Sequence, residues 1–192
     1  MGREKEPRVI EAAEGVFFRY GYRKTTMGDI ATAAGISRPA LYLLFCNKER
    51  IFEAVLRRWS AQLLDSIRKE IEDLPEPAAK LRRAFELWTV RPFELMAGSP
   101  DARDLMSCGL EFAGETIERN HEAFEALLVA ILQSFPGRRP AHGSSAEQVA
   151  HLLTVSARGF KGAARDVAEL RALLDGLLSM AVASWTGGSA KS

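Results

Sequence analysis

The stretch at residues 25–48, TTMGDIATAAGISRPALYLLFCNK, constrains this chain most, because it dictates two short helices and the corner between them. Thr25 and Thr26 supply hydroxyls where a helix begins, and Asp29, three residues after Thr26, makes a capping box. Ile30, Ala31 and Ala34 put apolar side chains on one face of about two helical turns. Gly35 can take a positive φ at a helix end, and Ile36 fills the corner behind it. Ser37 caps a second helix with Pro39 in its first turn, where the missing N–H costs nothing. Leu41 and Phe45, four apart, turn inward and leave Arg38, Pro39, Tyr42 and Leu43 facing out. Two short helices joined by a glycine turn make a helix-turn-helix. The alternative is an ordinary corner of an all-α protein.

The flanks extend the pattern. Residues 7–20 read as one helix with Val9, Ile10, Ala13, Val16, Phe17 and Tyr20 on its apolar stripe, ended by Gly21. Asn47 caps a helix from Lys48 through Glu72 whose apolar positions include Ile51, Phe52, Val55, Leu64, Ile67 and Ile71. At 1.5 Å per residue such a helix is about 37 Å long. Pro75 and Pro77 break it. A helix then spans about residues 78–98, kinked or split at Pro92. Ser99-Pro100 starts another, Gly109 and Gly114 bracket a short run, and a further helix covers about residues 115–135. A loop of turn formers runs through residues 136–145. Helices at 146–163 and 165–185 follow, the second with Val167, Leu170, Leu173, Leu174, Leu177 and Leu178 on one face. Gly187 begins a flexible tail. With no strand signal and no internal repeat, the expected fold is all-α, with about nine helices.

The run I-x-A-A-x-x-x-F-x-x-x-G-x-x-x-T-T (Ile10 to Thr26), then I-A-x-A-A-G-I-S (Ile30 to Ser37), then L-Y-x-x-F-x-x-K (Leu41 to Lys48), resembles the amino-terminal domain of the tetracycline-repressor (TetR) family. The detailed resemblance covers roughly the first quarter of the chain. It implies a three-helix DNA-binding domain over residues 1–47 and a larger effector-binding and dimerisation domain over 48–192, the helix at 47–72 connecting them. The implied function is a ligand-responsive transcriptional regulator, by family habit a repressor, binding palindromic operator DNA as a homodimer and released by a small apolar or aromatic effector.

Duplex DNA asks for cations and N–H donors at phosphates and for a shape that fits the major groove. The second helix of the motif, from Ser37, is the recognition helix of this reading. Arg38 alone in it can make a bidentate contact to guanine. Pro39, Ala40 and Leu43 suit thymine methyls, and Tyr42 can give its hydroxyl to a phosphate. Lys48 sits where a helix amino terminus already favours an anion. Thr25 or Thr26, with Arg23 and Lys24 before them, can clamp the backbone at the other end. The alternative for Tyr42 is a packed core tyrosine. Leu43 and Leu44 stand where the family commonly has an aromatic followed by histidine or tyrosine. This departure raises a second reading, a dimeric helical sensor with weakened DNA recognition.

The resemblance also implies an effector pocket lined by the middle helices. The candidates are Trp59, Phe85, Trp88, Phe93, Met96, Met106, Cys108, Phe112 and Phe124, most of them plain core. Glu94, Glu111 and His121 could anchor a polar group. In the family the last two helices pair with those of a second subunit, which assigns Leu152, Val155, Gly159, Leu170, Leu173, Leu174, Leu177 and Leu178 to a dimer interface, with His151 beside it.

Charge distribution agrees with a DNA-binding head. Residues 1–59 hold 11 Lys/Arg against 7 Asp/Glu, and the remainder 15 against 18. Apolar residues at 47% and charged residues at 27% describe an ordinary globular chain, and no apolar run approaches the ~20 residues of a membrane span. The start MGREKEPR shows no secretory signal and does not match the myristoylation pattern. Cys46 and Cys108 form no disulfide framework or metal spacing, so a reducing cytoplasm is the expectation. Cys46, just after the recognition helix, allows a redox-sensing reading. Cys108 and His121 are the one nucleophile–base pair available. Without a nucleophile elbow, P-loop or metal motif, neither catalysis nor a cofactor is expected.

Overall fold

The computed structural model describes residues 5–97, 113–135 and 143–186. Among them nine α-helices and one π-helical turn are found, and no strand. The helix expected from Ser99, the side chains of Met106, Cys108, Glu111 and Phe112, the loop through His142 and the tail from Gly187 lie outside the described residues. Two compact units emerge: Met1–Gln62 with Leu95–Asn120, and Leu63–Glu94 with His121–Ser192.

In the first unit α1 runs Lys5–Lys24, α2 Met27–Ala33 and α3 Arg38–Leu44. Helix α4, Lys48–Glu72, starts here, with the Asn47 side chain accepting from the Arg50 N–H at 3.0 Å. Gly21 breaks α1 internally, with φ 76° and ψ 166°, so the regular helix ends at Tyr20 as its sequence predicts. The chain reverses there and swings Tyr22 inward. Its ring stacks on Phe17 at 5.7 Å and meets Phe52 at 4.8 Å. Around these rings Val9, Ala13, Ile30, Ala31, Leu41, Ile51 and Val55 close the core of this unit. Tyr20, placed by periodicity on the buried stripe, is 48% exposed instead, and Tyr22 is the tyrosine that is buried.

The second unit contains the end of α4, then α5 (Pro77–Phe85), the π turn Glu86–Val90 and the start of α6 (Arg91–Ala97), through Glu94. The distortion expected at Pro92 is therefore found one turn upstream. A proline ring clashes with the carbonyl four residues before it and donates no hydrogen bond. The π turn widens the helix ahead of it, with the Arg91 N–H reaching the Glu86 carbonyl. Helix α7 (Gly114–Gln133) begins in the first unit and continues in the second. Helices α8 (Ala146–Ala163) and α9 (Val167–Thr186) complete it. Ser145 and Gln148 form a capping box on α8. The core of this unit gathers Ile67, Leu81, Phe85, Phe124, Leu128, Leu153, Leu170, Leu174 and Leu178.

Candidate nucleic-acid interface

The corner between α2 and α3 is built locally. The Thr26 hydroxyl accepts the Asp29 N–H at 3.2 Å, and the Asp29 carboxylate takes the Thr26 N–H at 2.8 Å and the Thr26 hydroxyl at 2.6 Å. These bonds, the hydroxyl foremost, hold the Asp29 carboxyl below the usual aspartate range, with the Arg38 charge adding to them and slight desolvation opposing. Gly35, at φ 65°, closes α2: its N–H reaches the Thr32 carbonyl at 3.1 Å and that of Ile36 the Ala31 carbonyl at 3.0 Å. Ser37 then caps α3, accepting the Ala40 N–H at 3.3 Å. Leu41 is wholly buried and pins the helix to the core.

What α3 leaves outside is the candidate interface. Ser37, Arg38, Pro39, Tyr42 and Leu43 are exposed and Ala40 is half-buried. Tyr42 is 54% and Leu43 88% exposed, which excludes the packed-tyrosine alternative. Leu44 is half-buried, as its spacing from Leu41 suggests. The Arg38 guanidinium meets Gly28 of α2 with its Nε–Nη2 edge, in the space a side chain there would take. Cys46 is exposed just beyond α3.

Two expected phosphate contacts need correction. Thr25 is buried, and its hydroxyl donates to the Gly21 carbonyl at 2.7 Å, so the side chain locks the α1–α2 turn. Lys48 turns its ammonium inward, donating to the carbonyls of Tyr22 and Thr25, each at 2.8 Å. It lies 4.2 Å from the centre of the Tyr22 ring. The Tyr22 hydroxyl in turn donates to Glu49 at 3.1 Å. Sequence reasoning missed this clamp, because its acceptors are backbone carbonyls that no residue type announces. Thr26 is exposed, though its hydroxyl is engaged with Asp29. Arg23 and Lys24 lie on the exposed surface beside it.

The expected pocket and dimer residues divide. Phe85 and Phe124 are fully buried packing partners, edge to face at 5.3 Å, and are core rather than lining. Trp88 stacks on Phe124 at 4.6 Å and meets His121 edge-on at 6.1 Å. Trp88, Phe93 and Met96 are half-buried. Trp59 belongs to the first unit and packs edge-on against Phe18 at 6.4 Å. Glu94 is exposed and pairs with Arg171 at 3.6 Å. On the last two helices Leu170, Leu174 and Leu178 are spent on their own subunit's core, which removes them from an interface. Leu152 and Val155 are 60% and 48% exposed, Gly159 is exposed, and Leu173 and Leu177 are half-buried. His151 is exposed and bonded to Glu125 at 3.1 Å.

Among the described residues no helix is long and apolar enough to cross a membrane, and no group of His, Cys, Asp and Glu is arranged to hold a metal ion.

Comparison with known proteins agrees with this architecture. The family model described as bacterial regulatory proteins, tetR family, matches residues 9–55. A helix-turn-helix transcriptional regulator of Mycobacterium tuberculosis is 30% identical over 156 residues, covering 70% of this chain and 77% of that protein. The transcriptional regulator TtgR of Pseudomonas putida is 29% identical over 135 residues, 66% of this chain and 60% of TtgR. The chain spans only 38% to 60% of the length of the first curated relatives it matches. The fold is also that of Thermus thermophilus FadR, a TetR-family repressor solved with lauroyl-CoA. The two share a TM-score of 0.61 at 22% identity, over 97% of this chain and 96% of that one. These relatives are transcriptional regulators, not enzymes. With the helix-turn-helix built as described and the match extending well beyond it, the chain belongs to the TetR family of bacterial transcriptional regulators.

Proposed function

We propose that this regulator acts as a repressor, binding palindromic operator DNA as a homodimer through α3 and leaving it when a small apolar or aromatic effector binds within residues 48–192. The observation that carries the reading is the outer face of α3, where Leu43 is 88% exposed and Tyr42 54%. Residues that large cost solvation when held in water on a helix anchored from behind by Leu41. Against a major groove they meet thymine methyls and phosphate. Arg38 at the amino end of α3 supplies a fork for guanine. Arg23 and Lys24 supply phosphate contacts beside Thr25 and Lys48, whose polar groups are engaged within the head. The leucines at 43 and 44 fit this use: Leu43 is outward and Leu44 packs, so the departure from the family pattern costs at most one phosphate contact.

The dimer reading is supported by Leu152, Val155 and Gly159 on α8 and by Met180, 66% exposed on α9. An apolar row broken by glycine lets a second helix pair approach closely. A symmetric pairing would cover the same row on both copies. For the effector, the half-buried Trp88 and Phe93 favour an apolar ligand. The lauroyl-CoA carried by the Thermus FadR structure makes acyl-CoA thioesters a reasonable first panel beside aromatic compounds.

The test is selection of duplexes from a random pool with purified protein, followed by salt titration and addition of the panel. A palindrome whose affinity falls steeply with salt, and is released by one class of compound, is the expected result. Enrichment of no duplex by a helical, dimeric protein would remove the DNA reading.

A further inference from the structure

We infer that Gly28 is a specificity-positioning residue: its missing side chain is the seat on which the Arg38 guanidinium is held for base reading. The inference rests on the proposed role of Arg38 and names what sets its direction.

Gly28 lies within α2 and is buried. Its backbone is ordinary helix, since the positive-φ glycines are Gly21, Gly35 and Gly143. Glycine weakens a helix relative to alanine, so nothing in the backbone asks for it here. The reason is steric. A Cβ at this position would fall 2.0 Å from Nη2 of Arg38 and 2.7 Å from both its Cζ and Nε. Alanine and guanidinium therefore cannot share the place. The Gly28 carbonyl accepts from the Thr32 hydroxyl at 2.9 Å, and the Nε–Nη2 edge of the guanidinium abuts the residue, which turns the outer Nη1 side of the fork away from α2. Asp29, next in the helix, is fixed by Thr26.

The space left by the missing side chain thus seats a long, flexible side chain at the amino end of the recognition helix. An arginine read by guanine through two parallel N–H groups gains discrimination only when its plane is set. Gly28 sets it before DNA arrives. A Cβ at 28 lifts the guanidinium off α2 and frees it to sample other rotamers and nearby phosphates.

The experiment uses a duplex selected from a random pool by the wild-type protein, and the set of single-base-pair substitutions of it. These are titrated against wild type, Gly28→Ala, Arg38→Ala and the double variant, with thermal unfolding of each. Arg38→Ala is expected to flatten the preference at one base pair per half-site by about tenfold, within what a single bidentate contact contributes. Gly28→Ala is expected to flatten the same position several-fold, to keep the preferences elsewhere, and to unfold no earlier than wild type. The double variant should match Arg38→Ala. If Arg38→Ala flattens that position and Gly28→Ala does not, the seat is overturned while the reading of Arg38 stands. If Arg38→Ala leaves every preference intact, or no duplex is selected, the reading falls and the inference with it. A general loss of preference together with early unfolding in Gly28→Ala and also in Gly28→Ser makes Gly28 merely structural and overturns the proposal.

Discussion

Lys48 donates its ammonium to the carbonyl of Tyr22 at 2.8 Å and stands 4.2 Å from the centre of the same residue's ring. With a second bond to the Thr25 carbonyl, two of the ammonium's three donors are turned inward, away from a phosphate. Charge-assisted bonds of this kind are each worth about 1.5–3 kcal/mol. Lys48→Met should therefore lower stability to urea by roughly 2 kcal/mol while leaving the slope of log affinity against log salt nearly unchanged. Lys24→Met should do the opposite, preserving stability and reducing the slope by about one.

Asp29 gives the head an acid dependence of defined sign. Its carboxyl is held below the ordinary value by the Thr26 hydroxyl first and the Thr26 N–H second. A depressed folded-state pKa means the cap's contribution is present above the unfolded value of about 4 and lost as pH falls below it. Asp29→Ala should be less stable than wild type at pH 7. The gap between the two should close below about pH 4, in thermal melts recorded across the acid range.

Leu41 and Leu43 are two residues apart and should behave oppositely. Leu41 is wholly buried, so Leu41→Ala should cost about 2–5 kcal/mol and weaken DNA binding only by unfolding the head. Leu43, 88% exposed, should change stability by no more than about 0.5 kcal/mol when replaced by alanine. Its loss should appear as reduced affinity for the selected duplex. A Leu43→Ala protein that binds as tightly as wild type would remove Leu43 from the interface.

The last two helices offer a similar contrast. Leu152→Asp places a charge on an exposed apolar row and should yield a helical monomer by analytical ultracentrifugation. Leu174→Asp places one in the core and should unfold the second unit, at a cost above about 4 kcal/mol. A dimeric Leu152→Asp would move the interface elsewhere.

The legible parts of this protein are those governed by neighbours in sequence. The Thr26–Asp29 box, the Gly35 turn, the Ser37 and Asn47 caps and the bounds of α4 and α8 follow from residues three or four apart, where chemistry is local. What sequence could not show depends on returns of the chain. Tyr20 continues the periodic stripe yet is exposed, and after the break at Gly21 it is Tyr22 that is buried. Lys48 finds acceptors on a turn 23 and 26 residues upstream. The apolar stripe of α9 announces a buried face but not the partner that buries it. Leu170, Leu174 and Leu178 turn out to face their own subunit. Likewise Arg38 carries the chemistry of guanine reading in its type, whereas the absence of a side chain at Gly28 acquires meaning only once α2 and α3 are placed together.

Helix α3 keeps one wholly buried side chain, Leu41, among its seven residues. A helix so lightly tethered exchanges its amide hydrogens through openings far smaller than global unfolding. Operator DNA would then act as the other half of its packing, binding the ordered form and slowing exchange in proportion to affinity. Recognition becomes a folding event in miniature: a mismatched base pair weakens a contact and, by the same free energy, lets the reading helix breathe.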